Sequence, residues 1–299
     1  MPELPEVETV RAGLATRLAG QRIAAVEVYH PRATRRSPGG TDAYVGALRD
    51  ARIGGVARRG KYLWLEIPAA HTALVFHLGM SGQLLIDPRV DMPRTHLRAR
   101  YRVGPHEMWF VDQRTFGHTL VSALVPTSDG ALGGWGATMA TVPEAVAHIA
   151  RDPLDSACDL PATAKAMRRR STAVKRALLD QGLISGIGNI YADEALWRAR
   201  MHPRRATATL RQSAALALLS HAREVMREAL AAGGTSFDAL YVDVSGRSGW
   251  FERRLDAYGR AGLPCRRCGR PLVRESFMNR SSVRCPRCQR RPSGAHLAP

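Results

Sequence analysis

The segment CRRCGRPLVRESFMNRSSVRCPRC at residues 265–288 holds two Cys-x-x-Cys pairs that are separated by sixteen residues. Each pair can form a tight turn that points two thiolates at one ion, and two such turns complete a closed tetrahedral site. We therefore predict one structural Zn²⁺ bound by Cys265, Cys268, Cys285 and Cys288. The metal would stabilise a small hairpin that has little core of its own. Such ribbons bind nucleic acid, protein or neither, and this segment alone leaves that choice open.

Positive charge is concentrated around this segment. The chain of 299 residues has 44 Lys+Arg against 26 Asp+Glu, a formal net charge of +18. Residues 258–299 carry half of that excess, with ten arginines and one acidic residue, Glu275. A surface this basic attracts polyanions over a long range, which makes nucleic acid an expected partner.

Length and composition indicate a globular protein of about two domains, since 45% of the residues are hydrophobic and 23% are charged. No apolar run approaches the roughly 18 residues that span a bilayer. The first residues, MPELPEVE, are acidic and contain no apolar signal core. We expect a cytoplasmic protein without membrane association. The lone Cys158 is expected to be a small buried hydrophobe.

Hydrophobic periodicity divides the chain into a β-rich part and a helical part. A helix is predicted over residues 2–18 from apolar residues at helical spacing. Alternating residues predict strands, which we place at 22–30, 61–67, 72–78, 83–86, 98–103 and 108–112. A stretch at 126–142 that is rich in Gly, Pro, Ser and Thr predicts a linker. Helices are predicted after it, at 143–151, from an N-cap at Ser171 to 181, at 190–200 and at 211–231.

The N-terminal segment Pro2-Glu3-Leu4-Pro5-Glu6 has two interpretations. On local sequence alone it is best explained as a helix start, with proline in the first turn and acids near the positive end of the dipole. If Met1 is removed, the secondary amine of Pro2 becomes a nucleophile with a pKa near 8. Its attack on the C1′ of a nucleotide would expel the base and leave an iminium, which can accept electrons during strand cleavage. Glu3 could then transfer protons.

Several further motifs, taken together, resemble the formamidopyrimidine-DNA glycosylase family. The similarity is carried by MPELPEVETV at the start, RRGKYLW at 58–64, HLGMSG at 77–82, DQRTFG at 112–117, GIGNIYADE at 186–194 and YGRAGLPC at 258–265. The closing CRRC and NRSSVRCPRC complete the pattern in the family's order. The individual motifs are short, but their combination covers nearly the whole chain and is highly specific.

The resemblance implies a fold and a domain organisation. The expected fold is α+β and multidomain: an N-terminal β-sandwich flanked by helices, then a helical helix–two-turn–helix domain with a four-Cys zinc finger. The implied ranges are 2–135 for the catalytic domain, 143–234 for the helical domain, 235–257 for a loop that covers the lesion and its linker, and 258–292 for the finger. Duplex DNA would lie in a basic cleft between the two domains.

The resemblance also implies roles for individual residues in the chemistry. Pro2 would be the nucleophile that forms a Schiff base, and Glu3 would protonate the sugar ring oxygen. Lys61 would match the family's general acid/base lysine, which also contacts phosphate. Arg280, at the tip between the cysteine pairs, would match the zinc-finger arginine that holds phosphates beside the lesion.

The remaining implied residues contact DNA. Met80, Arg114 and Phe116 would form a wedge that enters the duplex from the minor groove and fills the gap left by the flipped nucleotide. Thr115 stands where the family usually has a second arginine. Phosphate contacts are expected from His77, His96, Arg170 and Asn189. The Gly-rich link before Asn189 would expose N–H groups at a helix N-terminus.

The implied function is excision of oxidised purines from damaged double-stranded DNA, 8-oxoguanine opposite cytosine and formamidopyrimidines, followed by β- and δ-elimination at the abasic site. The enzyme would be a monomer. Three alternatives remain at this point: a sister-type glycosylase for oxidised pyrimidines, a non-catalytic binder of damaged DNA, and a zinc-ribbon protein of transcription or the ribosome. The last gives no account of the N-terminal segment.

Overall fold

The chain begins with helix α1 (Leu4–Leu18), as its apolar spacing predicts. The carboxylate of Glu6 accepts the backbone N–H of Glu3 at 2.9 Å and so satisfies one of the donors that a helix start leaves unpaired. Val10, Leu14 and Leu18 are 3%, 0% and 0% exposed. The predicted helix start in this segment is confirmed.

The computed structural model describes residues 2–89, 94–234, 242–247 and 254–294. The chain divides into two units, which are described separately. The first contains Met1–His148 and Leu230–Trp250, and the second contains Ile149–Ala229 and Phe251–Pro299. No helix within these described ranges is long and apolar enough to cross a membrane.

Two antiparallel sheets and helix α2 (Gly40–Leu48) follow α1 in the first unit. The strands are β1 (Ile23–Val28), β2 (Val56–Arg59), β3 (Tyr62–Ile67), β4 (Thr72–His77), β5 (Gly82–Ile86), β6 (Leu97–Val103), β7 (His106–Asp112), β8 (His118–Pro126) and β9 (Thr141–Pro143). One sheet has the order β1-β6-β7-β5 and the other β2-β3-β4-β8-β9.

The two sheets pack as a sandwich around a shared core. The ring of Phe76 on β4 meets the rings of Phe110 and Tyr101, from the other sheet, at centroid distances of 5.9 and 5.8 Å. Tyr44 of α2 reaches the same core, where its hydroxyl lies 2.6 Å from that of Tyr101. The predicted β-sandwich flanked by helices is confirmed.

The stretch 126–142, predicted as a linker, is folded against the second sheet. Arg58 and Trp135 exchange two backbone hydrogen bonds of 2.9 Å, which extends the edge of β2. A Cβ on Gly134 would lie 2.3 Å from the Arg58 carbonyl oxygen, so only glycine permits this approach. The composition that resembled a linker therefore reflects close backbone packing. Strands β2 and β8 were also absent from the prediction.

The second unit is helical and ends in a hairpin. Its helices are α3 (Leu160–Arg168), α4 (Val174–Leu179), α5 (Asn189–Arg198) and α6 (Gln212–Ala231). Strands β10 (Val273–Phe277) and β11 (Arg280–Arg284) form the antiparallel hairpin. The helix–two-turn–helix arrangement and the finger agree with prediction.

Three local predictions in this part of the chain were wrong. The helix predicted at 143–151 is a strand end followed by one 3-10 turn, Glu144–Val146. Helix α3 was not predicted, although Asp159 caps it by accepting the N–H of Ala162 at 2.8 Å. Ser171 is not an N-cap, because the extended residue Ala173 pairs with Ala206 and itself precedes α4, which begins at Val174. Most of the predicted loop 235–257 lies outside the described residues.

Candidate active site and nucleic-acid interface

Acidic groups surround the start of α1. Pro2 is buried, and Glu3 and Glu6 are 3% and 7% exposed. The Glu6 carboxylate lies 2.9 Å from the backbone nitrogen of Glu3. Sequence reasoning assigned no role to Glu6, although its three-residue spacing from Glu3 is that of a capping pair. A carboxylate cluster of this kind can move protons at a nearby reacting atom.

Lys61 occupies a two-residue turn between β2 and β3. Arg59 and Tyr62 pair on either side of it, and Gly60 takes the positive φ of 57° that the turn requires. Lys61 is only 7% exposed, so it is not a solvated surface lysine. A buried lysine beside other charged groups is a candidate for proton transfer.

A buried ion pair connects the two N-terminal motifs. Arg58 of β2 donates from Nε to Oε2 of Glu8 of α1 at 2.9 Å, and their side chains are 0% and 5% exposed. Arg11 also binds Glu8 and donates to the Val56 carbonyl oxygen at 3.1 Å. The helix that begins near Pro2 is therefore fixed to the strand that ends just before Lys61.

His77 lies at the end of β4, opposite Tyr62 of β3 and His118 of β8 in the strand register. Burial, followed by the positive charge of Lys61, lowers the pKa of His77 to about 4. Its Nδ1 accepts the backbone N–H of Gly79 at 3.1 Å, so the neutral ring carries its proton on Nε2. That N–H is available as a neutral donor, which suits contact with an anionic oxygen.

Two loops of the first unit present the residues predicted to form the wedge. Met80 and Phe116 are 37% and 46% exposed, so both large apolar side chains face solvent. Arg114 stacks its guanidinium over the Phe116 ring at 5.0 Å. The predicted group therefore comes together on one exposed surface. His96 is half-buried beside it, and its carbonyl oxygen accepts the N–H of Asp112 at 2.9 Å.

Several residues that support these loops were missed by sequence reasoning. Arg35 donates to the carbonyl oxygens of Phe116 and Gly117 at 2.9 and 2.8 Å. Ser81 and Asp112 are joined by a hydrogen bond of 2.5 Å. No local pattern marks Arg35, whereas Ser81 and Asp112 each lie inside a quoted motif.

The four cysteines of the second unit form a site that fits a zinc ion. Their Sγ atoms all lie within 4.8 Å of one another. A tetrahedral ion with Zn–S bonds of about 2.3 Å places its ligands about 3.8 Å apart, so these atoms need only a small contraction. The remaining thiol, Cys158, is 8% exposed, and burial raises its pKa to about 11. It is a buried hydrophobe, as predicted.

The finger hairpin and α5 share buried contacts. Asn189 donates from Nδ2 to the Ser281 carbonyl oxygen at 3.0 Å, and Lys175 donates to the same oxygen at 3.0 Å. Lys175 also forms an ion pair of 2.6 Å with Asp193, which accepts the hydroxyl of Ser282 at 2.7 Å. These contacts place Asn189 beside the tip residue Arg280.

A basic groove of about 830 Å³ brings Arg170 and Arg280 together. Arg176 and the hairpin-tip residues Met278 and Asn279 also line it. Arg170 forms an ion pair with Asp180 in the turn after α4. Three guanidinium groups around one groove match the charge and geometry of phosphate oxygens.

Family models match three parts of this chain. A model described as the formamidopyrimidine-DNA glycosylase N-terminal domain matches residues 1–119. The formamidopyrimidine-DNA glycosylase H2TH domain matches residues 149–240, and a zinc finger found in FPG and IleRS matches residues 262–291.

Curated relatives cover the whole chain. Formamidopyrimidine-DNA glycosylase of Salinispora arenicola is 57% identical over 99% of this chain and 98% of its own length. The protein of the same name from Streptomyces coelicolor is 55% identical over 98% of this chain and 99% of its own.

Solved structures are similar over the same extent. The MutM (Fpg) protein of Thermus thermophilus has 32% identity and a TM-score of 0.79, covering 96% of this chain and 98% of that one. MutM in complex with DNA containing carbocyclic 8-oxo-G has 29% identity and a TM-score of 0.80, covering 97% of this chain and 100% of that one. The Lactococcus lactis Fpg bound to abasic-site DNA has 29% identity and a TM-score of 0.79, at the same coverage.

Proposed function

Because the chain belongs to the formamidopyrimidine-DNA glycosylase family, we propose that it excises oxidised purines from double-stranded DNA and then cleaves the abasic site. The expected substrates are 8-oxoguanine opposite cytosine and formamidopyrimidines. The observation that carries this proposal is the 57% identity to a formamidopyrimidine-DNA glycosylase over 99% of the chain. Similar structures bound to carbocyclic 8-oxo-G DNA and to abasic-site DNA support both steps.

The first step is base excision by Pro2. With Met1 removed, the neutral Pro2 nitrogen attacks C1′ of the flipped nucleotide while the bond from C1′ to the base breaks. The base leaves with a proton, and the sugar ring opens when Glu3 protonates its ring oxygen. The product is an iminium between Pro2 and C1′. The carboxylate of Glu6 accepts the backbone N–H of Glu3 at 2.9 Å and so holds Glu3 at the start of α1.

The second activity is lyase cleavage through that iminium. Loss of a proton from C2′ expels the 3′ phosphate in β-elimination, and a further elimination expels the 5′ phosphate. Water then hydrolyses the iminium and frees Pro2. Lys61 is the proposed acid/base for these proton transfers, and its burial in the turn after β2 supports the role. The neutral Nε2–H of His77 would donate to a phosphate oxygen.

The wedge and the second unit would hold the distorted duplex. Met80 and Phe116 would fill the space left by the flipped nucleotide, and Arg114 would hydrogen-bond the orphaned base. Asn189, Arg170 and Arg280 would bind phosphates beside the lesion. Arg280 would also assist the second elimination. His96 would also contact phosphate, although the hydrogen bond that the structure gives for it is made by its backbone carbonyl oxygen.

One structural Zn²⁺ would be held by Cys265, Cys268, Cys285 and Cys288. It fixes the base of the hairpin that carries Arg280, and a site with four protein ligands has no open position for chemistry. We further propose that the enzyme is a monomer that acts on chromosomal DNA in the bacterial cytoplasm, associated with the nucleoid. The relatives named above come from bacteria, which supports that compartment.

The test is covalent trapping on a labelled duplex that contains one 8-oxoguanine opposite cytosine. Purified protein is incubated with the duplex and cyanoborohydride, which reduces an iminium to a stable amine. Two control proteins are a Pro2→Gly variant and a form whose terminal amine is blocked by an N-terminal extension. An adduct that maps to Pro2 and is absent with undamaged DNA is the expected result.

Other outcomes would replace the proposal. No adduct from zinc-loaded protein with a free Pro2 amine would refute the nucleophile and favour a non-catalytic binder of damaged DNA. Trapping on a duplex with an oxidised pyrimidine, and none on 8-oxoguanine, would instead identify a sister-type glycosylase.

A further inference from the structure

The loops that carry Met80 and Phe116 touch each other through their backbones. Gly79 has a φ of 62°, and a Cβ placed on it would lie 2.4 Å from the nitrogen of Gly117. A Cβ on Gly117 would in turn lie 3.0 Å from the His77 carbonyl oxygen. The two loops are therefore in close backbone contact, which side chains larger than glycine at these positions would prevent.

One buried carboxylate binds both loops. Asp112, at the end of β7, is 0% exposed. Its Oδ1 accepts the Ser81 hydroxyl at 2.5 Å and the Arg114 backbone N–H at 3.2 Å. Its Oδ2 accepts the Gly117 backbone N–H at 2.7 Å. Hydrogen bonds to an ionised acceptor are about twice as strong as neutral ones. The Asp112 carboxylate therefore connects the loop that carries Ser81 to the loop that carries Arg114 and Gly117.

The same contacts fix the backbone of Arg114. Its N–H lies 3.2 Å from Asp112 Oδ1 and 3.1 Å from Ser81 Oγ. The next residue, Thr115, has a φ of 56°, which is unfavourable for a β-branched side chain. The hydrogen bonds on both sides of Thr115 hold this conformation in place.

We propose that Asp112, together with Ser81, is a positioning residue that sets base extrusion and the choice of opposite base. The inference rests on the proposed function, since it assigns the loops to the wedge. A wedge fixed before binding does not have to be ordered when the duplex is opened. Because Arg114 would read the orphaned base, a shift of its backbone alters the discrimination between cytosine and adenine.

The variant that tests this is Asp112→Asn, which keeps the shape of the side chain. An amide can still accept from Arg114 and Ser81, but its NH₂ then faces the N–H of Gly117, donor against donor. Losing one charge-assisted bond of about 1.5 kcal/mol corresponds to about tenfold in rate. Ser81→Ala removes a second contact, and Ser122→Ala is a matched control because Ser122 is a buried serine elsewhere in the same unit.

Four measurements separate positioning from stability: excision opposite cytosine, excision opposite adenine, cleavage of an abasic site and the rate of duplex opening. We expect Asp112→Asn to slow excision of 8-oxoguanine opposite cytosine about tenfold and to change the ratio of the excision rates opposite cytosine and opposite adenine. Cleavage of a preformed abasic site should change less than about threefold, because no base has to be extruded. Fluorescence of 2-aminopurine beside the lesion should report slower opening.

An equal loss on lesion and abasic substrates would overturn the proposal, as would an unchanged cytosine preference. Ser81→Ala supplies the same comparison if Asp112→Asn fails to fold. Failure of the wild-type protein to excise any lesion would refute the proposed function instead, which keeps the two failures distinct.

A second, independent observation concerns the base of the finger. Arg200, Arg205, Arg267, Arg287 and Arg290 surround a cavity of about 600 Å³, with Cys268 and Cys288 at its wall and no carboxylate among its lining residues. The hairpin strands are five residues long, so this arginine basin lies about 16 Å from the tip that carries Arg280.

The charge of the arginine basin exceeds what the metal site would balance. A zinc ion with four thiolates carries a net charge of about −2, against five guanidinium groups. Arg267 is fixed over the Trp197 ring at 3.7 Å and donates to the Trp197 carbonyl oxygen. The other four arginines form no side-chain hydrogen bond or ion pair with the described part of the chain, and Nε of Arg205 is buried without a partner.

We propose that the arginine basin binds the phosphodiester backbone of duplex DNA independently of any lesion. The proposal needs no catalysis, so it can fail or hold separately from the glycosylase assignment. Guanidinium forks match phosphate oxygens, and each phosphate contact adds to the salt dependence of binding.

The test compares Arg200→Gln/Arg290→Gln with a control of equal charge, Arg211→Gln/Arg227→Gln, whose arginines are exposed in the same unit. Affinity for an undamaged duplex is measured by fluorescence anisotropy over a salt series, with zinc content checked in each protein. A plot of log affinity against log salt concentration has a negative slope. In the basin variant this slope should be less steep than in the control variant, by about 2. Equal slopes for the two variants would overturn the proposal.

Discussion

The pKa of the buried His118 ring is set by its burial and by the charged groups around it. It is 4% exposed at the start of β8, and neither ring nitrogen has a hydrogen-bond partner among the described residues. Its ring stacks on His77 at a centroid distance of 5.4 Å. Burial, followed by the charges of His77, Arg36 and Arg35, lowers its pKa to about 3. The folded protein therefore requires the neutral ring.

This depressed pKa predicts a loss of stability in acid. The unfolded chain takes up the proton near pH 6.5, whereas the folded chain resists it, so the contribution is complete above pH 6.5 and falls as pH drops toward 3. We expect His118→Phe to remove about 2 kcal/mol of the decrease in unfolding free energy between pH 7 and 4.5. Urea unfolding at both pH values measures it, with exposed His148→Asn as the control. Identical pH dependence in the wild type and His118→Phe would contradict the assignment.

At the scale of elements, helix α1 and strand β2 are joined by the Glu8–Arg58 pair. The pair is buried, so neither charge is solvated if its partner is removed. This ion pair is important for the site because α1 begins beside Pro2 and β2 ends just before Lys61. Its loss should therefore affect both stability and the relative placement of these two groups.

We expect Glu8→Gln to cost about 3 kcal/mol of unfolding free energy, the scale for breaking a buried pair. The double variant Glu8→Gln/Arg58→Gln should cost less than the sum of the single variants, because each single variant already removes the direct interaction between the two charges. Urea unfolding of the four proteins gives the coupling energy. A coupling near zero would show that the pair does not join the two elements.

The elements that the sequence predicted well are those with a repeating apolar pattern or a fixed spacing. Helix α1, the long helix α6 and the cysteine ligand set belong here. The linker prediction at 126–142 failed because glycines such as Gly134 serve close packing on β2, which composition cannot distinguish from a loop. Helix α3 buries Leu160, Ala164 and Met167 at helical spacing after the Asp159 cap, so its pattern was present in the sequence and the helix was predictable. Arg35 acts on a loop that is distant in sequence, so no local pattern marks it, whereas Asp112 lies inside a recognised motif that does not reveal its contacts with both loops.

At the scale of the whole molecule, the net charge of +18 and the cysteine site affect every part of the proposed function. The charge opposes association of two copies and attracts DNA. The cysteine site belongs to a small core with Trp197 and Val283, so the finger is packed against α5. The finger residue Ser281 also binds Asn189 and Lys175.

Removing the metal should therefore reduce the stability of the whole second unit as well as that of the finger. We expect one zinc ion per chain by elemental analysis, and we expect a chelator to lower the melting temperature and abolish binding to damaged duplex. Chelator already saturated with zinc is the control. Full stability and binding in metal-free protein would refute a structural zinc.

The charge also predicts the oligomeric state. Light scattering should give the mass of one 299-residue chain, and the mass of one chain plus one duplex after DNA is added. The same mass at low and high salt is expected for a monomer. A mass of two chains at high salt, where repulsion is screened, would contradict it.

The residues just before the finger are irregular in secondary structure, yet the carboxylate of Glu194 accepts the backbone N–H groups of Asp256, Ala257 and Tyr258 at 3.0, 2.8 and 2.9 Å. These three amide protons should exchange with deuterated water as slowly as those in the middle of α5. Opening them requires the buried end of the helix to come apart as well. We therefore expect the segment and the helix to open as one cooperative unit, because Glu194 ties the residues at the start of the finger to α5.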